Sequence, residues 1–262
     1  MFYPKFEFTN ETIESHGIIL HRIKSLKKVR DNVPKGTIGG FLPFADEIKL
    51  SALSHEGTCW IAENSMIFSN SVEIKDDALV SGKAQIFDNV SISDLAKISE
   101  NTIIRGNSKI RGSAKIKGKA KISGNTFITG SSIVLGPTTI SDNVHIEGTC
   151  NISGKSIIEG NAQILGASQI GGHAKISGNA RISGSALVRG TARIFGRAKI
   201  RDAAKIRDAA WVFENADICE AASVSGNARI FGNARILGAA KIEGNSIISG
   251  ERIIGGATEI KD

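Results

Sequence analysis

Proline, tyrosine, tryptophan and methionine are scarce in this chain: four, one, two and two among 262 residues. Few prolines argue against Pro-rich linkers, and 29 glycines imply frequent tight turns instead. Three cysteines, Cys59, Cys150 and Cys219, lie far apart with no C-x-x-C pair. An odd, scattered set does not make a disulfide framework, so a reducing, cytoplasmic compartment is expected. The opening residues Met1 to Phe8 lack a basic segment followed by an apolar run, which predicts no signal peptide. No run approaches the roughly 18 apolar residues of a transmembrane helix, so no membrane insertion is expected. A G-x-x-x-x-G-K-[ST] phosphate loop is also missing. Gly36 to Gly40 is glycine-rich without the Lys-Ser/Thr pair and reads as a turn.

What the chain does have is a period. From Ile74 to Ile260 every sixth residue is Ile or Val, 32 positions without a slip, of which Val80, Val134, Val188, Val212 and Val224 are the valines. Two residues before each sits a small residue, with Arg252 the lone exception. The unit is small-x-aliphatic-x followed by a pair such as Gly226-Asn227 or Asp88-Asn89. Residues two apart on a strand share a face, so the small and aliphatic residues point inward and their neighbours outward. Gly and Asn tolerate positive φ, which predicts a corner at each pair. Short strands cornering every six residues wind into a coil in which each Ile stacks on another one coil away. A helix fails, because a six-residue step does not hold a 3.6-residue stripe on one face.

This pattern resembles the hexapeptide-repeat proteins, a superfamily best known from acyltransferases. The resemblance implies an all-β fold: a single-stranded left-handed parallel β-helix with three hexapeptides, or 18 residues, per coil. Residues 61–262 are assigned to that solenoid, with a rudimentary repeat at Ile61 and Ile67 and one inserted residue before Ile74. Residues 1–60 are read as a small β-rich cap. Phe2, Phe6 and Phe8 alternate with polar residues, Ile18 to Ile23 suggests a second strand, and Lys35 to Phe41 reads as a turn-rich link. Charged residues near Arg252 and Asp262 would blunt an open edge, or ends would meet end to end. Gly36-Thr37-Ile38-Gly39-Gly40-Phe41, Gly57-Thr58-Cys59-Trp60-Ile61 and Glu63-Asn64-Ser65-Met66 narrow the resemblance to the YdcK-type family of bacterial and phage putative acetyltransferases. That family supplies no catalytic residues to carry over.

Hexapeptide acyltransferases generally carry a loop that interrupts the coil, a histidine base, and acyl-CoA bound between subunits. No insertion interrupts the repeat after Ile74, and its histidines are His145, which should point outward, and His173, at a corner. These are the catalytic candidates, isolated surface histidines unless a subunit interface unites one with other groups. A three-histidine metal site of the hexapeptide carbonic anhydrase kind lacks its spacing, so no metal is expected.

Two outward features remain. At 18 residues per coil, Phe195, Phe213 and Phe231 fall in one column, with Phe87 at the equivalent position earlier in the chain. Trp211 projects beside Phe213, and Arg193 and Arg229 flank the column. This is either a ladder stacking on itself or a contact surface between subunits or with a partner. The second feature is a basic collar, Arg105, Lys109, Arg111, Lys115, Lys117 and Lys121 with Lys97 and Lys119, opposed by Glu100. A second belt runs from Arg189 to Arg207, partly offset by Asp202 and Asp208. With a formal net charge of +7, these read either as a solvated surface or as an anion-binding one for nucleic acid, glycan or lipid headgroups. The expected function is a non-catalytic scaffold that self-associates through its aromatic face into a homo-oligomer, by resemblance a trimer. The alternative is an acetyl-CoA-dependent acyltransferase with its site at a subunit interface.

Overall fold

The computed structural model describes residues 3–45 and 51–262. Phe2, expected on the first strand, lies outside the described residues. Among those residues there are only strands and turns, and the fold is a parallel β-solenoid. The chain forms two compact units, Met1–Gly130 and Ser131–Asp262.

The first unit opens with antiparallel strands β1 (Phe6–Ser15) and β2 (Ile18–Ser25). Their turn is His16–Gly17, both at positive φ, the backbone that a two-residue hairpin needs to match strand twist. β2 pairs antiparallel with β3 (Ile38–Pro43). The turn-rich link expected over Lys35 to Phe41 is therefore corrected: Gly36 turns at φ 89°, but Ile38 onward is strand. Gly39 and Gly40 are present for close approach rather than for turning. A Cβ on Gly39 would sit 2.7 Å from Ile23 and Trp60, and one on Gly40 would sit 2.5 Å from the Ser65 carbonyl oxygen.

β4 (Trp60–Ile61) and β5 (Met66–Ile67) begin the coil, and β3 pairs parallel with β5 through Phe41 and Met66. The extra residue before Ile74 makes the first pairings 19 residues apart, as in Trp60 with Leu79. From Glu73 with Ser91 onward the step is 18. Two-residue strands then recur on three parallel sheets.

In the second unit the same step holds through Lys175, Arg193, Trp211 and Arg229 on one sheet. It holds through Arg181, Lys199 and Asp217 on another, and through Leu187, Lys205 and Ser223 on the third. Each outward residue donates its N–H to a carbonyl 17 positions on, as Arg193 does to Ala210 at 2.9 Å. The strands thereby satisfy their backbone groups along the coil axis. The inward residues up to Ile248 are buried, as in Ala180 and Ile182. Burying one such Ile contributes about 1.5–3 kcal/mol. Where the small inward residue is Ser or Thr, its hydroxyl turns back to the carbonyl three residues earlier. Ser156 donates to Ser153 at 2.7 Å and Thr102 to Ser99 at 2.7 Å, so these buried hydroxyls keep a partner.

The corners differ from expectation in one respect. Positive φ falls on the first residue of each corner pair and never on the Asn that follows. Where that residue is not Gly it is Asp or Glu, as at Asp88, Asp142, Asp202 and Glu214. The Asn instead forms side-chain ladders. Asn143 Nδ2 donates to Asn161 Oδ1 at 3.0 Å, and Asn161 donates in turn to Asn179 at 2.9 Å.

Candidate functional site

The outward residues of the second unit sit at fixed positions because each rung is pinned to the next by parallel pairing. Phe195 stacks on Phe213 with ring centroids 4.8 Å apart and planes at 6°, and Phe213 on Phe231 at 4.9 Å and 10°. Two residues before Phe213, Trp211 pairs in register with Arg193 on one side and Arg229 on the other. The guanidinium carbons lie 5.0 and 5.2 Å from the indole centroid, a cation–π sandwich. Phe195 also meets Trp211 edge-on at 6.3 Å. The structure thus brings Arg193, Phe195, Trp211, Phe213, Arg229 and Phe231 onto one sheet face. All four rings are half-buried. Ring faces inside the columns are taken by neighbours, so the surface offers ring edges and the outer edges of two guanidinium groups. Such a strip suits a flat partner surface better than an intercalating base.

Phe87 lies in the first unit, where it stacks on Phe68 at 4.3 Å and is covered on its other side by Arg105 at 4.5 Å.

Residues 174–190 match the YdcK beta solenoid repeat. They cover three rungs, Lys175–Ile176, Arg181–Ile182 and Leu187–Val188, which together make one coil. That match and the parallel solenoid agree with the hexapeptide-repeat, YdcK-type resemblance. No curated protein matches the chain.

The other predicted residues are more scattered. His145 starts a strand, with its Nε2 3.0 Å from Glu147 Oε2, while His173 is exposed at a turn. The two are therefore on separate elements. No group of three or more His, Cys, Asp or Glu among the described residues is placed to hold a metal ion. The first-unit collar spreads over all three sheets: Lys97 and Lys115 pair on one, Lys109 lies on the second and Lys121 on the third. Arg111, Lys117 and Lys119 lie outward among the same coils. Lys109 and Arg111 line a shallow cavity with Asn107, Asn125, Thr126 and Phe127.

In the second belt Arg201 grips Asp217 through two bonds of 3.0 and 2.9 Å, and that bond raises the guanidinium pKa. Asp208 is already engaged, its carboxylate accepting from the Gly226 N–H at 3.1 Å.

Sequence reasoning missed one site, at the start of the coil. Lys5 is fully buried, and its Nζ donates to the Glu56 and Cys59 carbonyls at 3.0 Å each and to Cys59 Sγ at 3.1 Å. Its backbone N–H donates to His55 Nδ1 at 2.9 Å, and the His55 ring stacks on Phe6 at 4.7 Å. A cavity of about 440 Å³ adjoins it, lined in part by Ser54, His55, Glu56, Glu73 and Lys75. Burial pushes the Lys5 amine pKa down and the Cys59 thiol pKa up. A lysine just before a strand carries no sequence signal that it will be buried.

Proposed function

We propose that this chain is a non-catalytic β-solenoid scaffold that associates with a second copy of itself through the Phe195–Phe213–Phe231 ladder and the Arg193–Trp211–Arg229 sandwich. The observation that carries the reading is the continuous flat strip these six residues make. The rigid backbone has set the shape of that strip in advance, so little ordering cost falls on association. By family resemblance the oligomer is a trimer. The buried, unpaired Cys59, Cys150 and Cys219 support a reducing compartment, the cytoplasm. The test is light scattering over a concentration series: the wild type should be oligomeric, and the Phe213→Ser/Phe231→Ser double variant monomeric. A wild type that stays monomeric at high concentration overturns the reading. The basic collar of Arg105, Lys109, Arg111, Lys115, Lys117 and Lys121 supports an anionic partner as a secondary property, with salt-dependent retention on a polyanion as its test.

One observation favours a second reading. The imidazole of His145 is held by the Glu147 carboxylate, the arrangement of an oriented general base. In an acetyl-CoA-dependent acyltransferase this base would work at a subunit interface. Acetyl-CoA binding by calorimetry that is abolished in His145→Ala or His173→Ala would select this reading over the scaffold.

A further inference from the structure

Lys5 and Cys59 form a buried amine–thiol pair. The Lys5 Nζ contacts are two backbone carbonyls and one sulfur, and every one of them belongs to the segment Glu56 to Cys59. The Cys59 sulfur lies in turn 3.5 Å from the Ser54 carbonyl oxygen, 3.7 Å from that of Glu56 and 3.4 Å from that of Ile74. Ser54, Glu56 and Ile74 also line the adjoining cavity. A small oxidant in that cavity therefore stands next to the shell of carbonyls around the sulfur. The pair joins the residue leading into β1 to the residue leading into β4, across 54 positions of sequence.

We propose that Lys5 and Cys59 are a modification site at which hydrogen peroxide forms a covalent sulfur–nitrogen crosslink that locks the first strand onto the start of the coil. The Lys5 amine, in contact with the sulfur, accepts the thiol proton. The thiolate attacks peroxide, the O–O bond breaks, hydroxide leaves and takes a proton from the Lys5 ammonium to become water, and the sulfur becomes a sulfenic acid. Sulfur loses two electrons and peroxide gains them. The neutral amine then attacks that sulfur, the S–O bond breaks, and the departing hydroxide leaves as water with a proton from nitrogen. Thiol, amine and one peroxide yield one sulfenamide and two waters. Burial favours the neutral amine over the ammonium ion that a surface lysine would carry. Among the described residues, Cys59 has a lysine amine bonded to its sulfur, whereas the Cys150 sulfur bonds to the carbonyls of Glu147, Ile164 and Gly166.

The experiment uses the full wild-type chain. Folded protein is treated with hydrogen peroxide, unreacted thiols are alkylated under denaturing conditions, and the digest is read by mass spectrometry. The expected product is a joined peptide pair containing Lys5 and Cys59, two hydrogens lighter than the sum of its parts and separated again by dithiothreitol. A product one oxygen heavier, joining the same residues, also supports the pair, with a second peroxide supplying a bridging oxygen. Cys59 recovered only as alkylated thiol, or oxidised without a link to Lys5, overturns the proposal. So does a joined peptide that forms equally well in guanidinium-unfolded protein. Lys5→Arg keeps hydrogen-bond donors at the site and removes the nucleophile, so its Cys59 should stop at the sulfur acids. In the crosslinked protein, amide exchange in β1 should slow by at least roughly tenfold, since a crosslink restricts opening. Unchanged exchange overturns the locking role.

Discussion

The Asp88 carboxylate accepts a hydrogen bond from the backbone N–H of Gly106, 2.8 Å away and one coil further along the chain. Asp88 is at φ 55°, a region that strains any residue with a Cβ. The bond across coils offsets that strain, and the device recurs. Asp142 caps Gly160 at 2.9 Å, Glu214 caps Gly232 at 2.9 Å, and Glu220 caps Gly238 at 2.7 Å. An acid at a corner is thus tolerated because its side chain reaches the corner of the next coil.

Asp88→Ala keeps the Cβ and loses the bond, whereas Asp88→Gly loses the bond and relieves the strain. The Ala variant should therefore be the less stable of the two by about 1 kcal/mol. Denaturant unfolding of both variants measures the difference, and equal midpoints would show that the bond, not the backbone, sets the cost.

Gly184 sits at φ +70°, and an added Cβ would stand 2.7 Å from the Asp202 backbone nitrogen. Gly250 has nearly the same φ, +72°, with nothing within 4 Å. Gly250→Ala should cost only the backbone penalty, about 1–2 kcal/mol. Gly184→Ala should cost clearly more, because two backbones must also separate. Thermal unfolding compares them, and matching losses would refute a tight corner-to-corner approach.

Ile182 is fully buried between the rungs of Ile164 and Ile200. Ile182→Ala should destabilise the chain by roughly 2–5 kcal/mol, the range for emptying a packed core position. Outward Arg181→Ala on the same strand should change stability by less than about 0.5 kcal/mol. Unfolding monitored by circular dichroism separates the two, and a neutral Ile182→Ala would contradict the stacked core.

The Thr58 hydroxyl donates to Asp77 Oδ1 at 2.6 Å and holds that carboxyl below the usual carboxylate range. A lowered folded pKa stabilises the fold above the unfolded value, and the contribution is lost as pH falls through the folded one. Thr58→Val should raise the Asp77 titration midpoint toward the ordinary value and remove its share of the acid-side loss. Carboxyl-resolved NMR titration reads this directly, and an unmoved midpoint would mean another group sets it. Solvent exposure of Asp77 keeps the effect on stability small.

Much of this protein was legible in one dimension because the solenoid repeats in one dimension. Six-residue spacing told which residues point inward, since alternate strand positions face opposite ways and a corner restores the phase. It also placed Phe195, Phe213 and Phe231 in one column, because parallel pairing in register keeps every eighteenth residue aligned. The corner was read too loosely: Gly-Asn looked like two turning residues, yet only the first turns while the Asn builds a ladder. That distinction needs a neighbouring coil, which the local sequence does not contain.

Sequence by itself determined the coil, its inward stack and its outward columns, because local strand geometry and a constant pitch suffice for those. Only the tertiary structure decided what happens where the period is absent. It buried Lys5 against Cys59, slid Gly39 over Trp60 and laid β3 beside β5. Those contacts join segments tens of residues apart, and no periodic rule relates their positions.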